Sequence, residues 1–411
     1  MRTLVLGICI TIASTVSAQR YCVTTDYIQQ IHLSDPSSSL RIQQTENFIR
    51  QQLLLQSKTE EENIRIIRIP VVVHILYNNN AQNISDAQVQ SQIDVLNRDF
   101  RRLNSDTGST PSRFKSMAAD VQIEFALATA DPEGRPTNGI VRRQTNIAYW
   151  GTDDKIKMNA QGGNDPWNTS SYLNIWVGNL RSLLGYSSVP GSDASRDGLV
   201  INYTAFGTFN TSAPYNLGRT TVHEVGHWLG LKHIWGDTYC GDDGVDDTPT
   251  QGNFTAGCPN GFRSSCSNGA TGDMYMNYMD YTDDACVNLF TIGQKNRMMV
   301  HFNEGAPRQS LLLSKGLSLP WKEPAPVPVP ASYGMHFYPN PAGETISVQF
   351  ESFEKWLGQN ITIINLNGSI VAGAKVNGKS VTLNLSSLQR GMYFIQVSNG
   401  KEKLSEKFFR L

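Results

Sequence analysis

Three histidines within eleven residues have the spacing needed to bind one metal ion together. The segment reads HEVGHWLGLKH and contains His223, His227 and His233. On a helix, His223 and His227 lie one turn apart on the same face, so both imidazoles can reach one ion. Gly230 tolerates a positive φ, so it can end the helix and turn the chain to deliver His233. Three protein ligands leave a fourth position for water, which is the arrangement of catalytic zinc sites.

Glu224, which follows the first histidine, supplies the second half of this chemistry. Zinc lowers the pKa of a bound water towards about 7, and a neighbouring carboxylate can accept its proton and pass it to a leaving amine. A bare HExxH spacing occurs by chance on many helices, but Gly230 and His233 at fixed offsets make the motif specific. The sequence therefore predicts zinc-dependent hydrolysis with Glu224 as the general base.

The elements around this motif must hold it in place, and their apolar patterns predict a mixed fold. The β-branched run from Ile64 to Tyr77 predicts a buried strand. Ser85 and Gln88 predict a capping box, and helical spacing of apolar residues predicts a helix over residues 86–104. Further strands are expected at residues 121–127, 172–180, 183–190 (an edge strand) and 198–203. Strands mixed with long helices predict an α+β or three-layer α/β domain.

The chain has 411 residues, which is long for one domain, and its composition changes along its length. Arg2, an apolar run and small residues ending at Ala18 predict a secretory signal peptide over residues 1–18. The polar, glutamine-rich residues 19–62 are interpreted as a pro-segment, and residues 63–318 as the catalytic domain.

The C-terminal part of the chain has a different character. Residues 319–332 are rich in proline and predict a stiff linker. Residues 333–411 contain short alternating strands separated by Asn-Gly turns, which is typical of an all-β sandwich.

Charge and cysteine usage favour an exported protein. The formal net charge is −1, so no basic excess attracts nucleic acid or an anionic membrane, and no transmembrane segment is predicted. Export permits disulfides, and one cysteine, Cys22, stands apart from four that lie downstream of the histidine motif. The four are Cys240, Cys258, Cys266 and Cys286. Two bridges in any of three connectivities are expected, and we expect the protein to be a monomer.

The sequence resembles the metzincin clan, in which HExxHxxGxxH is followed by a methionine turn. Here that turn runs from Asn277 to Tyr281, with Met279 beneath the metal; without the upstream motif Met279 would be an ordinary core methionine. The phrases GDDGVDDTPTQ, NYMDYTDDAC and FTIGQKNRM are similar to the pappalysin family over roughly residues 64–302. The resemblance implies a metzincin-like α+β catalytic domain, with a twisted, mostly parallel sheet, a backing helix and an active-site helix.

Further residue roles follow from this resemblance. Tyr281 resembles the tyrosine that stabilises the oxyanion of the tetrahedral intermediate, a task that suits a phenol donor. The four clustered cysteines would pair as Cys240–Cys266 and Cys258–Cys286.

An acidic loop resembles the calcium-binding segment of the family. Its candidate ligands are Asp242, Asp243, Asp246, Asp247 and Thr248. Hard oxygen ligands suit calcium, although a solvated acidic loop would have the same composition.

Cys22 resembles the pro-segment cysteine that occupies the fourth zinc position in related zymogens, and a thiolate is a good zinc ligand. The alternative is an incidental cysteine near a cleaved end. Activation of such a zymogen would need cuts between residues 50 and 65, where Arg50, Lys58 and Arg65 lie.

The resemblance also implies cleavage before Arg or Lys. Asp283 and Asp284 follow the methionine turn and are candidates for a carboxylate at the base of the specificity pocket, where it would pair with a guanidinium. They could equally be solvated loop acids. Ala285 puts the preference in doubt if the family's pocket acid belongs at its position.

The C-terminal residues resemble the sorting domain of the type IX secretion system, an immunoglobulin-like sandwich. The resemblance rests on Tyr338-Pro-Asn-Pro341, Gly391-Met-Tyr393 and the basic ending from Lys401. It implies the type IX secretion machinery as a partner and a secreted or cell-surface location. A carbohydrate-binding or adhesive sandwich is the alternative, because a fold does not fix a function.

Together these features predict a zymogen of a secreted zinc endopeptidase that acts on protein or peptide substrates. One rival is a surface binding or adhesion protein on a degenerate protease scaffold, and Glu224 and Tyr281 argue against it. A second rival is a zinc hydrolase of non-peptide amides. The edge strand expected at residues 183–190 favours a peptidase, because an extended peptide can add to it.

Overall fold

The computed structural model describes residues 22–56, 65–320, 322 and 334–411. They fall into two compact units, Met1–Glu323 and Pro324–Leu411. The predicted signal peptide, most of the predicted linker and residues 57–64 of the predicted activation region lie outside the described residues. Within the described part, no helix is both long enough and apolar enough to cross a membrane.

The described residues of the first unit form six α-helices and six strands. The helices are α1 (Thr24–Ser34), α2 (Ser37–Gln56), α3 (Asp86–Phe100), α4 (Ser112–Lys115), α5 (Arg219–Trp228) and α6 (Ile292–Val300). The strands are β1 (Ile67–Tyr77), β2 (Ile123–Leu127), β3 (Ile140–Gln144), β4 (Leu173–Gly178), β5 (Gly185–Ser187) and β6 (Leu199–Asn202).

These strands form one mixed sheet in the order β2-β1-β4-β6-β5, with β3 paired to the second half of β1. All neighbours run parallel except β5, which runs antiparallel to β6. The mostly parallel sheet confirms the predicted fold, and β5 lies at its edge.

The two faces of the sheet bury different clusters, because successive strand residues point to opposite sides. Ile175 and Ile201 face the main core, which α3 and α5 cover. Trp176 and Val200 face the opposite side, where Tyr27 of α1 joins a smaller aromatic cluster. Helix α1 therefore packs with Tyr27 against the face of the sheet that α5 does not cover.

Two details of α3 differ from the sequence-based expectation. The hydroxyl of Ser85 accepts the backbone N–H of Gln88 over 3.1 Å, but the Gln88 amide donates to the carbonyl oxygen of Phe206 over 2.9 Å. The reciprocal half of the capping box is therefore replaced by a long-range contact. The helix also ends at Phe100 rather than 104, since Arg102 adopts a φ of 50° that stops its continuation.

The second unit consists of two antiparallel sheets. Its strands are β7 (Met335–Tyr338), β8 (Thr345–Phe350), β9 (Asn360–Ile364), β10 (Ile370–Lys375), β11 (Ser380–Asn384), β12 (Gly391–Ser398) and β13 (Lys403–Arg410). One sheet has the order β10-β9-β12-β13 and the other β11-β8-β7. Val348 of one sheet shares a buried core with Ile363 and Ile395 of the other, which is the packing of the predicted β-sandwich.

Candidate metal centre and active site

Helix α5 carries the first two histidines of the motif, and buried polar contacts fix where it begins. Arg219, its first residue, is 3% exposed. The guanidinium donates to the carboxylates of Asp99 on α3 over 3.1 Å and Asp106 over 2.6 Å, and to the carbonyl oxygen of Asp284 over 2.6 Å. A buried charge is costly unless it is paired, so this cation holds the start of α5 against α3.

The other end of α5 is fixed by Trp228 and by the turn that follows. The indole N–H of Trp228 donates over 2.9 Å to the buried carboxylate of Asp197, which also pairs with Arg308. Two residues later, Gly230 has a φ of 81°. This left-handed conformation ends the helix and turns the chain back, which brings His233 beside the helical histidines.

Each of the three imidazoles is oriented by a hydrogen bond at its Nδ1. The acceptors are the carbonyl oxygen of Tyr278 for His223 (2.7 Å), the carbonyl oxygen of Leu231 for His227 (2.8 Å) and the carboxylate of Asp237 for His233. The Nε2 of His227 then lies 3.1 Å from the Nε2 atoms of both other histidines. Burial and the neighbouring His233 lower the pKa of His227 to about 3, which keeps it neutral, as a metal ligand must be.

Cys22 brings a sulfur to the same point. One donor atom from each of Cys22, His223, His227 and His233 lies within 4.8 Å of the others, and all four side chains are buried. Cys22 forms no disulfide. One thiol and three imidazoles make the nitrogen and sulfur donor set that zinc prefers in tetrahedral sites. The residues present therefore fit a zinc ion, both by chemistry and by convergence.

Glu224 lies buried beside this group and contacts Thr24 at the start of α1. Its Oε2 accepts a hydrogen bond of 2.9 Å from the hydroxyl of Thr24. The same hydroxyl accepts the backbone N–H of Ser187 on β5 over 3.0 Å, and Cys22 pairs with Gly185 in a parallel bridge. The first described residues thus run along the edge strand and across the carboxylate.

Tyr281 also lies beside the group. Its hydroxyl donates to the carbonyl oxygen of Cys22 over 2.8 Å, and its ring centroid is 4.9 Å from that of His233. Burial, together with the nearby Cys22 and Glu224, raises the pKa of Tyr281, so the phenol keeps its proton. The structure therefore places a hydrogen-bond donor against a peptide carbonyl beside the metal-binding group.

Met279 packs against helix α5 at Gly226. It is fully buried, and its backbone N–H donates to the side chain of Asn277 over 2.9 Å while its carbonyl accepts the N–H of Ile234 over 3.2 Å. A Cβ added at Gly226 would lie 2.5 Å from the Met279 sulfur, so any side chain at this position would require the Met279 side chain to move.

Three contributors to the site were missed by sequence reasoning. Trp235 stacks on the ring of His233 with centroids 4.4 Å apart and planes 8° apart. Asp237 accepts the Nδ1–H of the same histidine, and Thr24 contacts Glu224. The only sequence signal of these residues is their position near a ligand. Trp235 and Asp237 lie two and four positions after His233, and Thr24 lies two positions after Cys22.

The four clustered cysteines form two disulfides. Cys240 pairs with Cys266 and Cys258 with Cys286, with Cα atoms 5.7 Å and 5.6 Å apart. This is the connectivity that the resemblance implies among the three possible ones. The bridges cross-link the long segment that runs from the third histidine to the residues after the methionine turn.

The acids of the predicted calcium segment are engaged separately. Asp243 is buried, its carboxylate accepts from the Thr248 hydroxyl over 2.9 Å, and burial raises its pKa to about 7. Asp247 accepts a backbone N–H at the start of α6 over 2.8 Å, whereas Asp242 and Asp246 are exposed. Over the described residues, these acids do not converge on one point as the cysteine and histidines do.

The two acids proposed for the specificity pocket have different environments. Asp284 is fully buried, and its Oδ2 accepts the backbone N–H groups of Leu217 over 2.9 Å and Arg219 over 3.2 Å. This oxygen helps to fix the start of α5. Asp283 is partly buried, and its neighbour Ala285 is exposed.

Comparisons with known proteins agree with this site. Residues 156–303 match the family described as Pregnancy-associated plasma protein-A, and residues 336–409 match the secretion system C-terminal sorting domain. An extracellular metalloprotease of Uncinocarpus reesii is 37% identical over 210 residues, which cover 48% of this chain and 73% of the relative. One of Arthroderma benhamiae is 34% identical over 243 residues, which cover 56% of this chain and 76% of the relative.

Solved structures of mirolysin are similar to the first unit. A complex of mirolysin with a compound is 49% identical, has a TM-score of 0.61, and covers 62% of this chain and 99% of its own. A Glu-to-Ala mutant of promirolysin from Tannerella forsythia is 46% identical, with a TM-score of 0.66, and covers 72% of this chain and 97% of its own.

Proposed function

The chain belongs to the pappalysin family of secreted zinc metalloendopeptidases, and we propose that it is made as a zymogen in which Cys22 blocks the metal. The convergence of Cys22 with His223, His227 and His233 within 4.8 Å carries this proposal. With a zinc ion held by the three histidines, the Cys22 sulfur would act as a further ligand and would exclude the water that hydrolysis needs. The similarity to a promirolysin structure gives further support.

The C-terminal unit is a type IX sorting domain, so the protein is secreted or displayed at the cell surface. This location suits the two disulfides, which form and persist in an oxidising compartment. The secretion machinery is therefore one partner of the chain, and peptide substrates are another.

Contacts beyond the sulfur support the blocking role of the pro-segment. The Thr24 hydroxyl contacts Glu224, and the Thr25 hydroxyl donates to Asp237 over 3.1 Å. Farther along, Glu46 of α2 forms an ion pair with Arg297 of α6. Both helices of the pro-segment, α1 and α2, thus contact the catalytic unit.

For the reaction itself, a bound zinc ion supplies Lewis-acid chemistry and a water of pKa near 7. We assign the general base to Glu224, which accepts a proton from the attacking water and passes it to the leaving amine. Once Thr24 has departed, the Oε2 of Glu224 would be able to accept a hydrogen bond from that water. Tyr281, whose hydroxyl donates to a peptide carbonyl in the zymogen, would donate to the oxyanion that develops on the scissile carbonyl.

Strand β5 is proposed to bind the substrate backbone. It is the edge of the sheet, and the pro-segment already pairs with it at Gly185. An extended peptide can replace the pro-segment there by adding a strand, which places its scissile bond beside Glu224.

A preference for Arg or Lys after the scissile bond remains a prediction. Asp283 and Asp284 are its candidate acids, and Asp284 also accepts backbone N–H groups at the start of α5. Calcium binding at the loop of residues 242–248 is likewise a prediction. It would show as a higher midpoint of thermal unfolding in calcium than in chelator, and Asp243→Asn should reduce that difference.

The decisive experiment uses purified residues 19–411 and a denatured protein mixture. Digestion with and without a zinc chelator is followed by sequencing of every new N-terminus. Chelator-sensitive cuts establish the endopeptidase, and Arg or Lys at the new N-termini establishes the preference. Absence of cuts after removal of the pro-segment would instead favour a binding protein on a protease scaffold.

A further inference from the structure

Tyr27 of α1 inserts its side chain into a pocket on the face of the sheet opposite to α5. It is 2% exposed, and its ring lies 4.7 Å from the ring of Tyr186 on the edge strand. Trp150, Trp176 and Leu180 belong to the same buried cluster. The pocket is therefore walled by aromatic and aliphatic side chains and adjoins the strand that the pro-segment pairs with.

The base of this pocket is a buried ion pair that is separate from the metal group. Lys157 has no exposed side-chain surface, and its ammonium lies 3.0 Å from the carboxylate of Asp154. The Tyr27 hydroxyl donates to that carboxylate over 2.8 Å and accepts from the Lys157 ammonium over 3.2 Å. A phenol has one donor and one acceptor function, so the pair satisfies both at once.

The aromatic walls also favour this arrangement of charge. The Lys157 ammonium lies 5.1 Å from the ring centroid of Tyr27, 5.5 Å from that of Trp176 and 5.3 Å from that of Tyr186. At these distances the ring faces attract the cation. The pocket thus recognises an aromatic ring by its walls and a hydroxyl by its base.

Removal of the pro-segment would empty this pocket. Asp154 would lose a hydrogen-bond donor, and the aromatic walls would become exposed beside β5. Apolar concave surfaces with a few convergent polar groups are typical of binding sites.

We propose that this pocket is a tyrosine-binding subsite of the active enzyme, filled by Tyr27 in the zymogen and by a substrate tyrosine after activation. The proposal rests on the zymogen function given above. Two residue steps into α1 and three helical steps join Cys22 to Tyr27, and together they span at most ~11 Å. The substrate tyrosine would therefore lie within about three extended residues of the scissile bond.

The test uses the full chain after activation and a set of peptides with one fixed cleavage site. Tyrosine, phenylalanine, O-methyltyrosine or leucine is placed at each of the four positions on either side of the scissile bond. At one position we expect kcat/KM for tyrosine to exceed that for phenylalanine by about tenfold, the effect of a hydrogen bond to a charged group. O-methyltyrosine cannot donate and should be no better than phenylalanine.

A matched pair of variants locates the effect. Asp154 has a φ of 59°, a conformation that Asn adopts readily, so Asp154→Asn removes the charge without backbone strain. The tyrosine-to-phenylalanine ratio should fall at least threefold in Asp154→Asn and stay unchanged in Asp153→Asn, whose side chain is 50% exposed. Comparing two peptides on one variant cancels any loss of folded enzyme.

Two outcomes would overturn the subsite. If all peptides are cleaved and tyrosine is favoured at no position, the subsite is wrong while the endopeptidase function stands. If no peptide is cleaved after the pro-segment has been removed, both the subsite and the proposed function fail.

Discussion

The hydroxyl of Thr24 donates a hydrogen bond of 2.9 Å to the Oε2 of Glu224, which lies 200 positions later in the chain. The Tyr281 hydroxyl donates to the carbonyl oxygen of Cys22, two residues before Thr24. Residues 22–24 therefore contact both candidate catalytic side chains, and Cys22 brings its sulfur to the three histidines. We infer that latency has several contributions, of which the sulfur is one.

Replacement of Cys22 by alanine should speed activation without making the chain fully active at once. The sulfur contact is worth more than one ordinary hydrogen bond of ~1 kcal/mol, so we expect an acceleration on the order of tenfold or more. Mass spectrometry of pro-segment loss over time measures this rate. Gln29→Ala on the exposed side of α1 is the control, and equal rates for wild type and Cys22→Ala would refute the switch.

Replacement of Glu224 by alanine should remove turnover and keep the metal. Loss of a general base costs about 10²–10⁴ in rate, whereas the three imidazoles that hold zinc are untouched. Peptide hydrolysis and elemental analysis of the same sample test both halves. Retained hydrolysis would remove Glu224 from the mechanism, and loss of zinc would make it a structural residue instead.

Replacement of Tyr281 by phenylalanine should lower kcat by about 10²–10³ with little change in KM, because its hydroxyl would act on the charge of the transition state. Tyr275→Phe is the matched control, since its hydroxyl makes an exposed contact of 3.3 Å to the carbonyl oxygen of Gly261. A change in KM alone would assign Tyr281 to substrate binding.

The parts of the site that the sequence predicts are those built from local spacing. His223 and His227 follow from the helical repeat, and Gly230 follows from the need for a left-handed turn, which the structure shows as a φ of 81°. Five of the six strands described in this sheet also follow from their apolar patterns, whereas β3, with the sequence IVRRQ, has too short an apolar run to be predicted.

The parts that it does not predict depend on contacts between distant segments. Gln88 leaves the capping box for the carbonyl oxygen of Phe206, and Asp284 caps the start of α5 rather than facing solvent. In the Tyr27 pocket, Tyr27 contacts Asp154 and Lys157, which lie 127 and 130 positions later in the chain. No periodicity encodes such pairs, since tertiary packing selects them.

Acid should destabilise the first unit through His74. This histidine is fully buried, its Nε2 lies 2.9 Å from the side-chain oxygen of Asn174, and burial lowers its pKa to about 4. An unfolded histidine titrates near 6.5, so between about pH 6.5 and 4 the unfolded chain binds the additional proton. Stability should therefore fall as the pH decreases through this window, by on the order of 3 kcal/mol.

Urea unfolding at pH 7 and pH 4.5 measures this loss. His74→Gln should show a smaller difference between the two pH values than the wild type, although His301 contributes in the same direction because burial also lowers its pKa. His336→Gln, at an exposed histidine of the second unit, is the control. An identical pH dependence in His74→Gln and wild type would contradict the assignment.

Replacement of Gly230 by alanine should destabilise the fold and weaken zinc binding. The φ of 81° costs an alanine roughly 1–2 kcal/mol, and the added Cβ would meet the Nε2 of buried His301 at 2.3 Å, which adds about 1–3 kcal/mol. Gly257 is the matched control, with a φ of 71° and no atom within 4 Å of an added Cβ. Gly257→Ala should therefore show the backbone cost alone in urea unfolding. The turn at Gly230 positions His233, whereas Gly257 lies outside this turn. Zinc affinity should therefore fall in Gly230→Ala and not in Gly257→Ala. Equal losses of stability and of zinc affinity in the two variants would show that contact with His301 does not hold this turn in place.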